Sequence, residues 1–339
     1  MERRRLLHNI LWVIITFLFV CSLTTGVMVS TVEAKREFIR FGGSSPGGSW
    51  FVIAGGLSAL LNKQIKGINV TPVGTGGSAD NNRIARKHEL DTWLTHSLTA
   101  YDNWNGVGLF KDEGPFKDFR MLCGVYESWH HFVVLEGSDV KKMADLKEKR
   151  ICIGAAGSGA AVNSENILRA LDLWDQVKAE PLTFDACGRG LIDGHIDVVG
   201  LSSAPMPAIV TVEALKKIRL IELSDDEIKK VLAKFPPYKK TIMPAGIYKT
   251  WQKEYPCIAF QVYWVAHKET DPERVYQILK VAFDPKNTKS IHAIHTQLKP
   301  LSPSFDAMKS MEIPLHPGAV KFWREKGESI PPELIPPGM

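Results

Sequence analysis

With 339 residues, of which 45% are apolar, 9% aromatic and 23% charged, the chain has an average globular composition and room for about two domains of roughly 150 residues each. These values exclude a disulfide-stapled miniprotein, wholesale disorder and a multi-span membrane protein. The 42 Lys and Arg set against 37 Asp and Glu leave only +5, scattered along the chain, so no nucleic-acid partner is expected.

The chain begins with a distinct chemistry. Arg3, Arg4 and Arg5 precede an uncharged, mostly apolar run from Ile10 to Cys21, and Val32-Glu33-Ala34 offers small residues where a signal peptidase reads. Residues 1–34 are expected to be a signal peptide cleaved after Ala34, which implies a periplasmic protein. An uncleaved anchor is the alternative, since Leu6 to Val29 reaches the roughly 20 residues a bilayer needs. A lipid on Cys21 is disfavoured by the bulky Val20 before it. The remaining cysteines, Cys123, Cys152, Cys187 and Cys257, sit in apolar runs or away from any metal-ligand spacing. Small buried hydrophobes are the expected role, with disulfides left open by the compartment.

Strands and helices then alternate with short connections, the pattern of an α/β protein with crossover helices. Phe38 to Phe41 reads as a strand. Trp50, Ile53, Ala54, Leu57, Leu60, Leu61 and Ile65 follow at helical spacing, and Ile68 to Val73 forms the next strand. Ile151-Cys152-Ile153 starts a similar strand-turn-helix unit later in the chain. Ser224 with Glu227 predicts a capping box, and Asp271-Pro272 predicts an N-cap with proline at the first helical position. Ile258 to Ala266 reads as a strand between those helices. Pro331-Pro332 and Pro336-Pro337 predict an extended tail over 329–339.

Three glycine-rich turns join strands to helices: 42–49, 74–78 and 154–159. Glycine lets a backbone approach a ligand, and the unpaired N–H groups of a helix's first turn attract an anion. Serine and threonine beside them add neutral donors. Positive φ and a cap alone would also account for one such turn, but three arranged alike point to an anionic solute. The candidate binding residues are Ser44, Ser45, Ser49 and Trp50 in the first turn. The second contributes Thr75, Gly76, Gly77 and Ser78, and the third Gly157, Ser158, Gly159 and Ala160. His96, Ser97 and Ser203 complete the set.

Other chemistries are poorly supplied. Gly74 to Ala79 satisfies a loose dinucleotide pattern but does not follow the first strand, and no serine sits in a nucleophile elbow. His130-His131 and His292 with His295 lack evident carboxylate or cysteine partners, so they read as surface or boundary histidines rather than a metal set. Neither a cofactor nor a catalytic group is expected.

Five segments in order resemble the TAXI family of solute-binding receptors of TRAP transporters, within the wider periplasmic binding protein class. They are Gly42 to Trp50, the T-G-G-S-x-x-N stretch Thr75 to Asn81, and Leu146 to Arg150 leading into Gly157-Ser158-Gly159. Pro244 to Tyr248 and Pro314 to Ala319 complete the series. The resemblance implies a type II-like α/β fold of two lobes with a hinge and an interlobe ligand cleft. The lobes would be 35–127 with a return over 244–328, and 128–243. It also implies a monomeric receptor that closes on a small organic anion and docks on TRAP membrane subunits. A periplasmic protein serving a sensor, or an enzyme, is the alternative. His96-Ser97-Leu98 departs from the family's frequent Gln-Ser-Asp, so the acidic partner for an amino acid's ammonium is missing. A carboxylate without an amine is therefore expected, with His96 as a donor that would be stronger when protonated. Trp50, Trp93, Trp129 and His130 are further candidates for the cleft wall.

Overall fold

The computed structural model describes residues 37–339 apart from positions 236 and 310. The expected signal segment, its cleavage after Ala34 and Cys21 lie outside the described residues. Among the described residues, no helix is long and apolar enough to cross a membrane.

β1 (Glu37–Gly42), β2 (Ile68–Val73) and β3 (Thr92–His96) run parallel in the order β2-β1-β3. Three helices follow these strands: α1 (Ser49–Gln64), α2 (Ser78–Arg86) and α3 (Ser97–Asn105). All five residues of β3 are buried, as expected for a strand covered on both faces. Beside it lie two long antiparallel strands. β4 (Phe119–Leu135) has 17 residues and β10 (Tyr255–His267) has 13, so β4 extends roughly 55 Å at about 3.3 Å per residue.

These two strands belong to both halves of the molecule. Val262 to Ala266 of β10 pair with β3, whereas Tyr255 to Ala259 pair with β9 (Lys239–Met243). β4 pairs with β10 along Phe119 to His130, then His131 to Leu135 turn to other partners, β7 (Val198–Leu201) and β8 (Ile218–Ile221). β5 (Arg150–Cys152) and β6 (Lys178–Glu180) complete that second half. Its helices are α4 (Gly159–Ala170), α5 (Phe184–Asp193), α6 (Pro207–Leu215) and α7 (Asp225–Lys234). α8 (Pro272–Ala282), α9 (Thr288–Ile294), α10 (Phe305–Lys309) and α11 (Pro317–Glu325) pack back on the first half.

The hydrophobic clusters divide where the long strands cross. One cluster takes Ile39 to Tyr126 and Val262 to Leu334, and Trp93, Phe119 and Trp264 are fully buried in it. Two smaller clusters take the side chains between Trp129 and Phe260. Met243, Tyr248, Trp251 and Tyr255 pack in one of the two smaller clusters. The segment carries punctuation at Pro244 and Gly246, but its aromatic side chains are buried against β4 and α6 rather than the first core. Near the C-terminus, Leu334 is completely buried in the first cluster, and its carbonyl accepts the Leu315 N–H at 2.8 Å, so this end of the chain is docked on the first half.

Local signals explain several element ends. Ser224 and Glu227 form the capping box at α7, Asp271 Oδ1 accepts the Glu273 N–H at 2.8 Å before α8, and Thr183 caps α5. Cys152, at the end of β5, is bonded to Cys187 on α5, while Cys123 and Cys257 are buried thiols. Two cysteines read as plain buried hydrophobes thus form a disulfide, because strand and helix bring positions 35 residues apart to a Cα separation of 5.6 Å.

Candidate functional site

The three glycine turns meet between the halves. The first half contributes the turns before α1 and α2, and the second contributes the turn before α4. They surround a small cavity of about 30 Å³, room for roughly two water molecules, so the walls have closed on each other.

Direct bonds hold this closure. The Gly157 carbonyl accepts the Ala79 and Asp80 N–H groups at 3.0 and 3.1 Å, the Gly47 carbonyl accepts the Ala208 N–H at 3.1 Å, and the Pro46 carbonyl accepts the Asp185 N–H at 3.3 Å. Glycine is needed for the approach itself. A Cβ on Gly76 would collide with the Ala156 carbonyl, and one on Gly159 would collide with His96 Nδ1.

The second turn is locked from beneath. Thr75 Oγ1 donates to Asn81 Oδ1 at 2.6 Å and accepts the Gly77 N–H at 3.1 Å. Asn81 Nδ2 donates to the carbonyls of Gly43 and Leu94 at 2.9 and 3.0 Å. Ser78 Oγ accepts the His96 N–H at 2.9 Å, which ties this turn to the end of β3. In the first turn, Ser44 Oγ accepts the Phe51 N–H at 3.1 Å and Ser49 Oγ donates to the Pro205 carbonyl at 3.3 Å. In the third, Ser158 Oγ caps α4 by accepting the Ala161 N–H at 3.0 Å.

The three turns are not equivalent as donors. The first-turn donors of α2 at Ala79 and Asp80 are consumed by the opposite lobe. The N–H groups of Ser49 and Trp50 at α1, and of Gly159 and Ala160 at α4, have no acceptor among the described residues, and α2 keeps one such donor, the Ser78 N–H; all five residues line the cavity. Positive potential is therefore greatest at the ends of α1 and α4, on opposite walls of the cavity.

Of the candidate residues, Ser44, Ser49, Trp50, Gly76, Gly77, Ser78 and His96 line the cavity from the first half. Ser158, Gly159, Ala160 and Ser203 line it from the second. Ser45, Thr75, Ser97 and Gly157 do not. Thr75 and Gly157 serve the turn and the closure, Ser45 Oγ is buried without a partner among the described residues, and Ser97 begins α3. Phe184, Ser202 and Met206 line it without having been singled out. The signal available for them was positional: Thr183 and Ser202-Ser203 stand at strand-to-helix junctions like the glycine turns, but without glycine to mark them.

The aromatic candidates separate as well. Trp50 is in the wall, and its Nε1 starts a chain of hydrogen bonds, donating to Tyr126 Oη at 2.7 Å. Tyr126 Oη lies 3.3 Å from Ser203 Oγ, which donates to Gln297 Oε1 at 2.7 Å. Trp93 is core, with Nε1 on Asn82 Oδ1 at 2.9 Å, and Trp129 Nε1 reaches Glu127 Oε1. His130 and His131 are fully buried rather than at a surface or boundary. His130 Nδ1 lies 2.9 Å from Ser202 Oγ, and His131 Nε2 lies 2.9 Å from Tyr248 Oη.

His96 is wedged between Trp50 and Phe260, with ring centroids at 4.8 and 4.5 Å, and its Nδ1 has no partner among the described residues. Burial pushes its pKa down to about 3. The imidazole is therefore neutral at physiological pH. It offers one N–H or one lone pair. Among the described residues, no ionised side chain lines the cavity.

The chain belongs to the NMT1-like family, whose model matches residues 41–327. Its fold is the two-lobe fold of periplasmic binding proteins. A structure described as that of a periplasmic transporter superposes with a TM-score of 0.51 at 16% identity, covering 87% of this chain and 98% of that one. An ancestral arginine-binding protein bound to arginine gives 0.47 at 14% identity, covering 78% and 99%. The periplasmic aliphatic sulphonate-binding protein of Escherichia coli gives 0.45 at 13%, covering 86% and 93%.

Proposed function

We propose that this chain is an extracytoplasmic solute-binding receptor of a TRAP-type secondary transporter, of the TAXI kind. It captures a small organic carboxylate between its lobes and delivers it to membrane permease subunits. One observation carries the reading: a cavity bounded by both lobes is lined by hydroxyl and first-turn N–H donors and by no charged side chain. Such donors match a carboxylate, whereas an ammonium would find no anionic partner and would be desolvated at a cost of several kcal/mol. The signal-like N-terminus supports a periplasmic location. The stretch Thr75 to Asn81, whose two ends bond each other across the turn, supports the TAXI assignment.

We infer that the lobes exchange at Ser128 in β4 and at Gln261 in β10. Any carboxylate of several heavy atoms exceeds the closed cavity, so capture passes through an open form that bends at these strands. β10 is irregular there, with register shifts at Val262/Tyr263 and Trp264/Val265.

A thermal-shift series on the purified chain tests the ligand class. A bound solute at 100 times its dissociation constant adds about 2.7 kcal/mol. Monocarboxylates and dicarboxylates are expected to raise the melting temperature, and the corresponding amino acids to raise it less. Stabilisation by uncharged or cationic solutes alone would overturn the carboxylate reading.

A further inference from the structure

The far pole of the first lobe carries a second constellation. His267 ends β10, five residues beyond Val262, which pairs with His96, so it lies roughly 15 Å along the sheet from the cleft. Next to it stand Glu269, in the turn that follows, and His88, in the turn that ends α2. His88 Nδ1 is 3.7 Å and His267 Nδ1 3.9 Å from Glu269 Oε2, the two rings are 4.5 Å apart, and all three ligand atoms lie within 4.8 Å of one another.

Three observations turn this proximity into a site. First, α2 ends in a Schellman motif, with the His88 N–H on the Ala85 carbonyl at 2.9 Å and the Glu89 N–H on the Ile84 carbonyl at 3.2 Å. This puts His88 at φ +58°, a position glycine usually fills. A residue with a β-carbon is held in that strained turn with its ring against His267. Second, His267 Nδ1 faces the cluster while the rest of its ring is buried, and its lone pair accepts the Glu269 N–H at a long 3.3 Å, a weak bond that a metal ion would displace. Third, the groove beside the cluster, about 270 Å³, is lined by Glu37, Asp91, Glu269 and Asp271 against one cation, Arg40. That guanidinium is already spent on both oxygens of Asp91 at 2.9 Å, and Glu37 is paired with Arg274 at 2.8 Å, so Glu269 and Asp271 are the lining carboxylates left to attract a cation.

We propose that His88, His267 and Glu269 bind a first-row divalent metal ion of the zinc class, with water from the groove completing its shell. Two imidazoles and a carboxylate suit that class, and bonds of about 2.0–2.1 Å in a tetrahedral shell set ligand atoms about 3.3–3.4 Å apart. The two edges to Glu269 need contraction by about 0.3–0.6 Å, and the edge between the imidazoles, within 4.8 Å, closes by rotation of the exposed His88 side chain. The ion would pin the end of α2 to the end of β10. It acts on the lobe that carries the second glycine turn without touching the cleft.

Equilibrium dialysis of the full chain, without a histidine tag, against Zn²⁺ tests this. One equivalent is expected to bind and to raise the melting temperature. Glu269→Gln, an exposed and near-isosteric change, is expected to weaken binding about a hundredfold. His88→Gly is expected to weaken it similarly while raising the melting temperature of the metal-free protein, because glycine relieves the positive φ. That pair of opposite effects is one a merely structural histidine would not give. Binding that never saturates at one equivalent, or equal affinity in the parent and both variants, overturns the proposal.

Discussion

The two lobes build their cleft walls by different means. The first lobe rests two glycine turns on one large core and locks them through side chains, with Thr75, Ser78 and Asn81 reaching the ends of β1 and β3. The second lobe has two smaller cores, and it supports its single turn by a disulfide between Cys152, just before that turn, and Cys187 on α5. A wide core can hold a loop through hydrogen bonds alone, whereas a thin one gains from a covalent tie.

Four measurements press on that contrast. The largest effect is expected from Cys152→Ser with Cys187→Ser. Removing a crosslink over 35 residues should cost about 3–4 kcal/mol by loop entropy, and hydrogen exchange should rise in α4 and α5 while β1 and α1 stay protected. A uniform loss across both lobes would mean that they unfold as one unit and that the contrast is only geometric.

Gly159→Ala comes next. The added methyl meets His96 of the other lobe, so it strikes the closed form and not the folding of either lobe. Ligand affinity is expected to fall at least a hundredfold, about 2.7 kcal/mol, with an almost unchanged melting temperature. Small-angle scattering should show a more open particle at saturating ligand. Unchanged affinity would place the ligand elsewhere.

Acid should act on both lobes. Burial pushes His96 to about 3 in the first, and His131 to about 4 in the second. Each is depressed below the ordinary histidine value of about 6.5, so the unfolded chain takes up more protons, and stability present above pH 6.5 is lost as pH falls toward the folded values. Each should cost roughly 1–2 kcal/mol at pH 5. His131→Gln is expected to flatten the melting-temperature profile between pH 7 and 5. An identical slope in parent and variant would show that His131 is not held neutral.

The smallest effect is expected from Thr75→Val, which keeps the shape but removes a hydroxyl bonded to Asn81 and Gly77, at about 1–2 kcal/mol. Binding should weaken with it, because the turn loses its lock. A stability loss with intact binding would show that the first lobe's turns do not need their side-chain support.

Much of this molecule was legible from local chemistry. The alternation of strands and helices, the capping box at Ser224, the N-cap at Asp271 and the three glycine turns follow from rules that act over a few residues, and each occurs where those rules place it. Eleven of the candidate residues line one cavity, because strand-to-helix turns at one edge of a sheet face the same way.

What acts across long separations was not legible. Which donors stay free depended on Gly157, whose carbonyl satisfies Ala79 and Asp80 from the other lobe. His96 became neutral because Trp50 and Phe260, distant in sequence, exclude water from it. The crosslink of Cys152 to Cys187, the side on which 243–260 packs, and the meeting of His88 with His267 and Glu269 were likewise decided only by the fold. Local sequence determined the backbone's turns and elements through steric and hydrogen-bonding preferences of neighbouring residues. Tertiary structure decided burial, charge state and partner, because those depend on which distant atoms replace water.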